Sequence, residues 1–294
     1  MKKVSIIILL VILTNSCVKT IDIDMPMDEP KQVLNCLFTA DKVIKVSLSK
    51  SVSITDFAFS DVIDSANITL FEDDVEIETL TYDAGYYKSS ILPQINKKYK
   101  LLSVVAGLKT VTAEDIVPSE PIINDVEFIE EAYYDASYGV IYGKTTIAIE
   151  DDGLGENFYE IAIVRTYFDE YSEETIVRAT GIQSSSNSLI LNEIDEQGYP
   201  THLVFSDDSF NGDTTPLTFD FANHFEDNLT PISYKVIIRS ITEDYYKYKR
   251  RLNRHTYFRE GNIWDALIEP LHMYTNIDNG FGVLAGYNEY NIEF

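Results

Sequence analysis

From Gln32 to about Val117 the chain is a succession of short runs in which apolar and polar residues alternate: VIKVSLSKS, ANITLFEDD, VEIETL, KKYKLLSVVAG and KTVTAEDIV. Side chains two apart share a face only in an extended strand, so this period commits the segment to half-buried β-structure. Val, Ile, Thr and Tyr fill the runs, while Gly, Asp, Asn or Pro separate them. Branched and aromatic side chains suit a pleated surface, and the separators suit turns. Strands at this spacing predict a β-sandwich of about ninety residues.

The second half reads the same way in IINDVEFIEEAYY, VIYGKTTIAIED, NFYEIAIVRTYF, ETIVRATGI, THLVFSDD, PLTFDF and ISYKVIIRSI, with longer and more acidic loops. VPSEPII, with two prolines around Ser119 and Glu120, marks the boundary between halves. One segment breaks the period. In SITEDYYKYKRRLNRH, Ser240 stands three before Glu243, as in a capping box, and Tyr245, Tyr248 and Leu252 share a helical face. Near the end, Asn279-Gly280 between two apolar stretches predicts a hairpin. The expected fold is therefore all-β: two β-sandwich-like, immunoglobulin-like domains over residues 31–118 and 119–294. One short amphipathic helix is expected over about 242–254.

The first thirty residues bear on address rather than fold. Lys2 and Lys3 precede an apolar run from Val4 to Leu13, which at about ten residues is too short to span a bilayer as a helix. Residues 1–16 then read as a signal peptide whose small Ser16 precedes Cys17, the site expected to take lipid. Thr14 occupies the slot where such signals usually carry leucine. The alternative is plain cleavage after Ser16 with an unmodified thiol. Residues 17–30, which carry two prolines and several acids, read as a flexible tether.

Charge narrows the partners. The chain carries 23 basic and 48 acidic residues, a net −25. It is repelled by anionic lipid and by phosphate backbones, which sets nucleic-acid binding aside and leaves lipid as the means of holding a membrane. Beyond Cys17 there is a single further cysteine. In QVLNCLF, Leu34, Cys36 and Phe38 share one strand face, so Cys36 is expected buried and inert.

No motif predicts catalysis. His202, His224, His255 and His272 are scattered, and the chain has no nucleophile elbow and no phosphate-binding glycine loop. No catalytic residue and no cofactor is expected, apart from a weak Ca²⁺ candidate. In DDSFNGD, Asp207, Ser209, Asn211 and Asp213 follow the opening of an EF-hand loop, but Thr218 stands where a bidentate glutamate belongs. A polar turn is the plainer reading. Tyr133, Tyr134 and Tyr138 around a turn, with Tyr142 nearby, suggest a ligand-binding surface, since tyrosine offers a rigid apolar ring with a wet hydroxyl. Ordinary β-sheet tyrosines are the alternative. Lys247, Lys249, Arg250, Arg251 and Arg254 make the helix basic, either through pairing with local acids or as a docking face for an acidic partner.

Together SCVKTIDID, VSLSKS, VFSDDSFNGD, DYYKYKRRL and PLHMYTNIDNGFGVLAGY resemble the outer-membrane lipoproteins of Bacteroidetes grouped as domain of unknown function 4249. The resemblance spans nearly the whole chain. It implies an outer-membrane lipoprotein, anchored at Cys17 and facing the cell exterior. It also implies an accessory role beside a TonB-dependent transporter in substrate capture or complex assembly. A structural or adhesive surface protein is the alternative, and an acidic hydrolase a distant third. The resemblance implies no catalytic residue.

Overall fold

The computed structural model describes residues 29–53, 61–151, 153–184, 189–223, 229–259 and 272–294. The signal segment, Cys17 and the tether as far as residue 28 lie outside them.

Eight strands build the first sandwich: β1 (Gln32–Phe38), β2 (Lys45–Lys50), β3 (Asn67–Glu72), β4 (Val75–Thr79), β5 (Thr81–Asp83), β6 (Tyr86–Lys88), β7 (Lys98–Val104) and β8 (Val111–Ile116). β1, β2, β6 and β5 lie side by side in one layer, and β4-β3-β7-β8 form the other. The alternation in the sequence is the alternation of burial. Leu34, Cys36 and Phe38 of β1, Val46 and Leu48 of β2, and Ile68 and Leu70 of β3 all point into one core. Burial pushes the Cys36 thiol up to about 12 against a hydrogen bond from the Lys45 backbone, so it is protonated and unreactive at neutral pH.

The second half adds β9 (Ile122–Asp135), β10 (Val140–Glu150), β11 (Phe158–Asp169), β12 (Glu174–Thr180), β13 (Ile182–Ser184), helix α1 (Leu191–Gln197), β14 (His202–Ser206), β15 (Thr214–Ala222), β16 (Leu229–Ile241), helix α2 (Glu243–Arg259) and β17 (Phe281–Glu293). β13-β15-β10-β9 form one layer. The facing layer runs β12-β11-β16-β17 and continues without a break into β1-β2-β6-β5, with β14 also on β11. The core between the layers holds Ile147, Ile161, Ile163, Phe205, Phe219, Phe221 and Val236.

The fold is all-β, as expected, but the two units are not cut cleanly at 118/119. β17 pairs in parallel with β1 through Phe281–Gly286, then antiparallel with β16 from Tyr287 to Glu293. The last strand thus completes the first sandwich and joins it to the second. Where it crosses β8, a Cβ on Gly286 would stand 1.7 Å from the Ile116 carbonyl oxygen, so only glycine fits that approach.

Three local expectations change. Asn279 does adopt a left-handed φ of 60°, and Gly280 N–H closes the turn on the Ile277 carbonyl at 3.2 Å. No hairpin forms, however, because β17 gives one edge to β1 and the other to β16. The Asn276 side chain stands in for a pairing strand, donating to the Leu284 carbonyl at 2.7 Å and accepting its N–H at 3.0 Å. The long helix begins at Glu243 and runs to Arg259, beyond the expected end. Its cap is Thr242 rather than Ser240, which still pairs within β16. A second helix, α1, lies in a stretch read as loop. Ile190, Ile194 and Gln197 turn inward there, and Gly198 ends the helix at φ 68°.

Candidate functional site

β17 sets the polarity of the molecule. The chain enters at β1, where Lys31 lies 4.7 Å over the Phe281 ring. β17 leads from there to the seam, and β16 carries on to Leu229, which pairs with Asp169 at the end of β11. This path is about 60 Å of strand at roughly 3.3 Å per residue. At the far pole stand the β9–β10 turn (136–139) and the β11–β12 turn (170–173).

All three candidate tyrosines lie on this far pole, in different states. Tyr133 is held although it is 42% exposed: its ring stacks on Tyr142 at 5.2 Å and its hydroxyl, the part-buried end, donates to Asp220 at 3.2 Å. Burial and the neighbouring Asp220 push Tyr133 up to about 12. Tyr134 and Tyr138 are 63% and 78% exposed, and Tyr171 on the adjacent turn is 86% exposed. Residues 131–139 and 166–177 contain Glu131, Asp135, Asp169, Glu170, Glu173 and Glu174 and no lysine or arginine. The pole is therefore aromatic and acidic together.

The basic helix is engaged within the chain, some of its cations at the surface. Lys247 pairs with Glu243 at 2.5 Å, Arg250 with Glu193 and Glu196, and Lys249 lies 3.9 Å from Glu160. Arg251 donates to the His272 carbonyl at 3.3 Å, and Arg254 is half-buried. The cations of α2 that the structure pairs thus find acids or a carbonyl within the chain, the arrangement expected of a locally neutralised face.

Glu160, which sequence reasoning missed, is the centre of that arrangement. It is 1% exposed and accepts from Arg239 at 2.7 Å and Tyr245 at 2.6 Å, with His202 Nδ1 at 3.0 Å. Burial alone would raise its pKa. The hydrogen bond to His202 and the charges of Arg239, His202 and Lys249 outweigh that and bring it down to about 2. The network ties β11, β14, β16 and α2 together. It explains why Phe158 to Ile163 are all buried: the core takes one face of β11 and α2 covers the other. An acid inside FYEIAIV was the available signal.

The DDSFNGD loop does not gather its four candidate ligands. Phe210 plugs the core, turning Asp207 inward and leaving Ser209, Asn211 and Asp213 exposed. Asp207 accepts the Asn157 N–H at 3.0 Å, and Asn211 donates to the Gly155 carbonyl at 3.1 Å. Nearby, Asp151 takes N–H groups from Gly153 and Gly212 and so pins this loop to the end of β10. Among the described residues no three His, Cys, Asp or Glu side chains are placed to hold a metal.

Between the sandwiches lies a cleft of about 710 Å³ lined by carboxylates including Asp115, Glu120, Glu150 and Glu243. Asp115 is part of the seam itself, accepting from Thr242 at 2.5 Å and from Gly286 N–H at 3.0 Å. Burial pushes its carboxyl up to about 6 despite those donors. Among the described residues no helix is long and apolar enough to cross a membrane.

Two β-sandwiches joined by a shared strand, with an aromatic, acidic far end, define an all-β protein. The chain belongs to the family described as domain of unknown function (DUF4249), which matches residues 18–293. No curated protein matches it.

Proposed function

We propose that this chain is a lipid-anchored outer-membrane lipoprotein, held through Cys17, that works beside a TonB-dependent transporter in substrate capture or complex assembly. The observation that carries the reading is the polarity of the fold. The chain enters at one end, and its exposed tyrosines stand at the opposite end, about 60 Å of strand away. A lipid at Cys17 would then hold the near end against the membrane and leave the aromatic pole reaching for a partner. The net charge of −25 supports lipid as the anchor, because the protein surface repels anionic headgroups. The transporter rests on the family resemblance of the motifs above.

Gentle detergent extraction followed by mass spectrometry tests both parts. The expected result is an acylated Cys17 peptide and stoichiometric recovery of a transporter, with Cys17→Ser releasing the protein into the soluble fraction. An acylated chain recovered alone would favour an adhesive surface protein. An underivatised thiol on a freely soluble chain would remove the reading altogether.

A further inference from the structure

β9 is 14 residues long and lies at the rim of its sheet, with no strand on its outer edge among the described residues. The rim strands β4, β8 and β12 have five, six and seven residues. An open edge presents unpaired N–H and C=O groups, which proteins normally blunt with lysine, proline or a bulge. β9 contains neither residue, and its two register shifts, at residue 124 and at residues 130–132, leave Asp125 to Ile129 in unbroken register with β10. In that stretch Val126 and Phe128 turn towards the core, while Asp125, Glu127 and Ile129 are exposed.

Beside this edge runs a groove of about 640 Å³ whose walls include Phe128, Pro231, Ile232, Tyr234 and Phe294. Ile232 is well exposed in it. β9 carries Asp125, Glu127, Glu130, Glu131 and Asp135 and no cation, and Tyr133-Tyr134 lie near its end. Charge decides which extended segment suits such an edge. A second copy would set these five acids against the same five. The chain's own tether is acidic as well, and nucleic acid is repelled.

We propose that β9 is a strand-addition site for an extended segment of a partner protein in which lysine or arginine alternates with apolar residues. The segment's backbone continues the β13-β15-β10-β9 sheet. Its cations pair with Asp125, Glu127 and Glu131 or lie over the tyrosines at the end, and an apolar side chain enters the groove at Ile232. This rests on the reading that the far half of the molecule meets a protein partner, and it does not depend on the lipid.

The test uses the full mature chain in detergent and fluorescence anisotropy with three labelled octapeptides. One alternates lysine and valine, one alternates glutamate and valine, and the third is the lysine peptide N-methylated at alternate residues. The lysine peptide should bind at least about tenfold more tightly than either companion, since charge and backbone pairing both contribute. Glu127→Lys with Ile129→Lys should weaken it by about tenfold or more, while Val177→Lys on the β12 rim leaves it unchanged. Circular dichroism should stay constant across these surface variants. Equal binding of the N-methylated peptide, indifference to the β9 variant, or no binding of the lysine peptide overturns the proposal. A β9 variant that still co-purifies with the transporter sinks this inference alone, whereas an unacylated Cys17 sinks only the proposed function.

Discussion

The two sandwiches are held together by different forces. Among the described residues, the near one buries only neutral polar side chains, Gln32, Thr39, Ser89 and Ser103, within an apolar core. The far one buries Asp151, Glu160, Asp207 and Asp220. Apolar packing is nearly indifferent to pH, whereas buried carboxylates are not. A buried ion pair adds little net stability over apolar packing, yet breaking one is costly because the remaining charge is stranded. The near unit thus rests on apolar packing, and the far unit adds one ion-paired carboxylate, Glu160, near the seam and three hydrogen-bonded ones, Asp151, Asp207 and Asp220.

The largest effect is expected at the seam, where the two regimes meet. Gly286→Ala drives a Cβ into the Ile116 backbone, which cannot swing aside, and should cost about 3 kcal/mol or more. In wild type, Cys36 should become accessible to a thiol reagent at the same urea concentration at which amide-exchange protection of β11 and β16 in the far sandwich is lost. Cys36 reacting well before that change would mean the shared strand does not couple the units.

Next in size is a matched pair of substitutions. Glu160→Ala strands Lys249 and leaves Arg239 with Glu289 alone, and should cost about 3–5 kcal/mol at pH 7. Leu101→Ala in the near core should cost about 2–5 kcal/mol. Acid separates them. Glu160 is held at about 2 against an ordinary 4.5, so its stabilisation is complete above 4.5 and is lost as pH falls towards 2. The Glu160→Ala deficit should shrink by pH 3 in denaturant titrations while that of Leu101→Ala persists.

Asp115 gives a slope of opposite sign. Its folded value of about 6 lies above the ordinary 3.8, so the folded state binds the proton more tightly. Stability should therefore fall as pH rises from 3.8 to about 6, by an amount on the order of 1–3 kcal/mol, and level off above. Asp115→Asn should flatten that limb of the melting-temperature profile; a slope unchanged in the variant would assign it to other groups.

The smallest effects sharpen the contrast within the far pole. Tyr134→Ala and Tyr138→Ala should change stability by less than about 0.5 kcal/mol. Tyr133→Ala should cost about 1–2 kcal/mol through its stack on Tyr142 and bond to Asp220, measured by thermal unfolding.

Much of this was legible in the sequence because the relevant physics is local. The period of two placed Leu34, Cys36 and Phe38 in one core, and the helical spacing of Tyr245 and Tyr248 placed α2. The clustered tyrosines share a turn because they are near neighbours in the chain. The missing parts are those in which distant residues meet. The hydrogen-bond partners of Glu160 lie 42 to 85 residues away, and no spacing within β11 points to them. The parallel pairing of β1 with β17 joins opposite ends of the chain, so the Asn279-Gly280 turn looked like a hairpin when read locally. Helix α1 is only seven residues long, and its apolar positions are too few to reveal a period.

The union of β1 with β17 also sets a schedule. β1 must wait for β17, which is translated far later, before both its edges are satisfied, which makes closure of the first sandwich a late step in folding. Until then the outer side of β1 is exposed to any passing polypeptide, so a chain stalled or clipped before residue 281 is a better substrate for aggregation and for proteases.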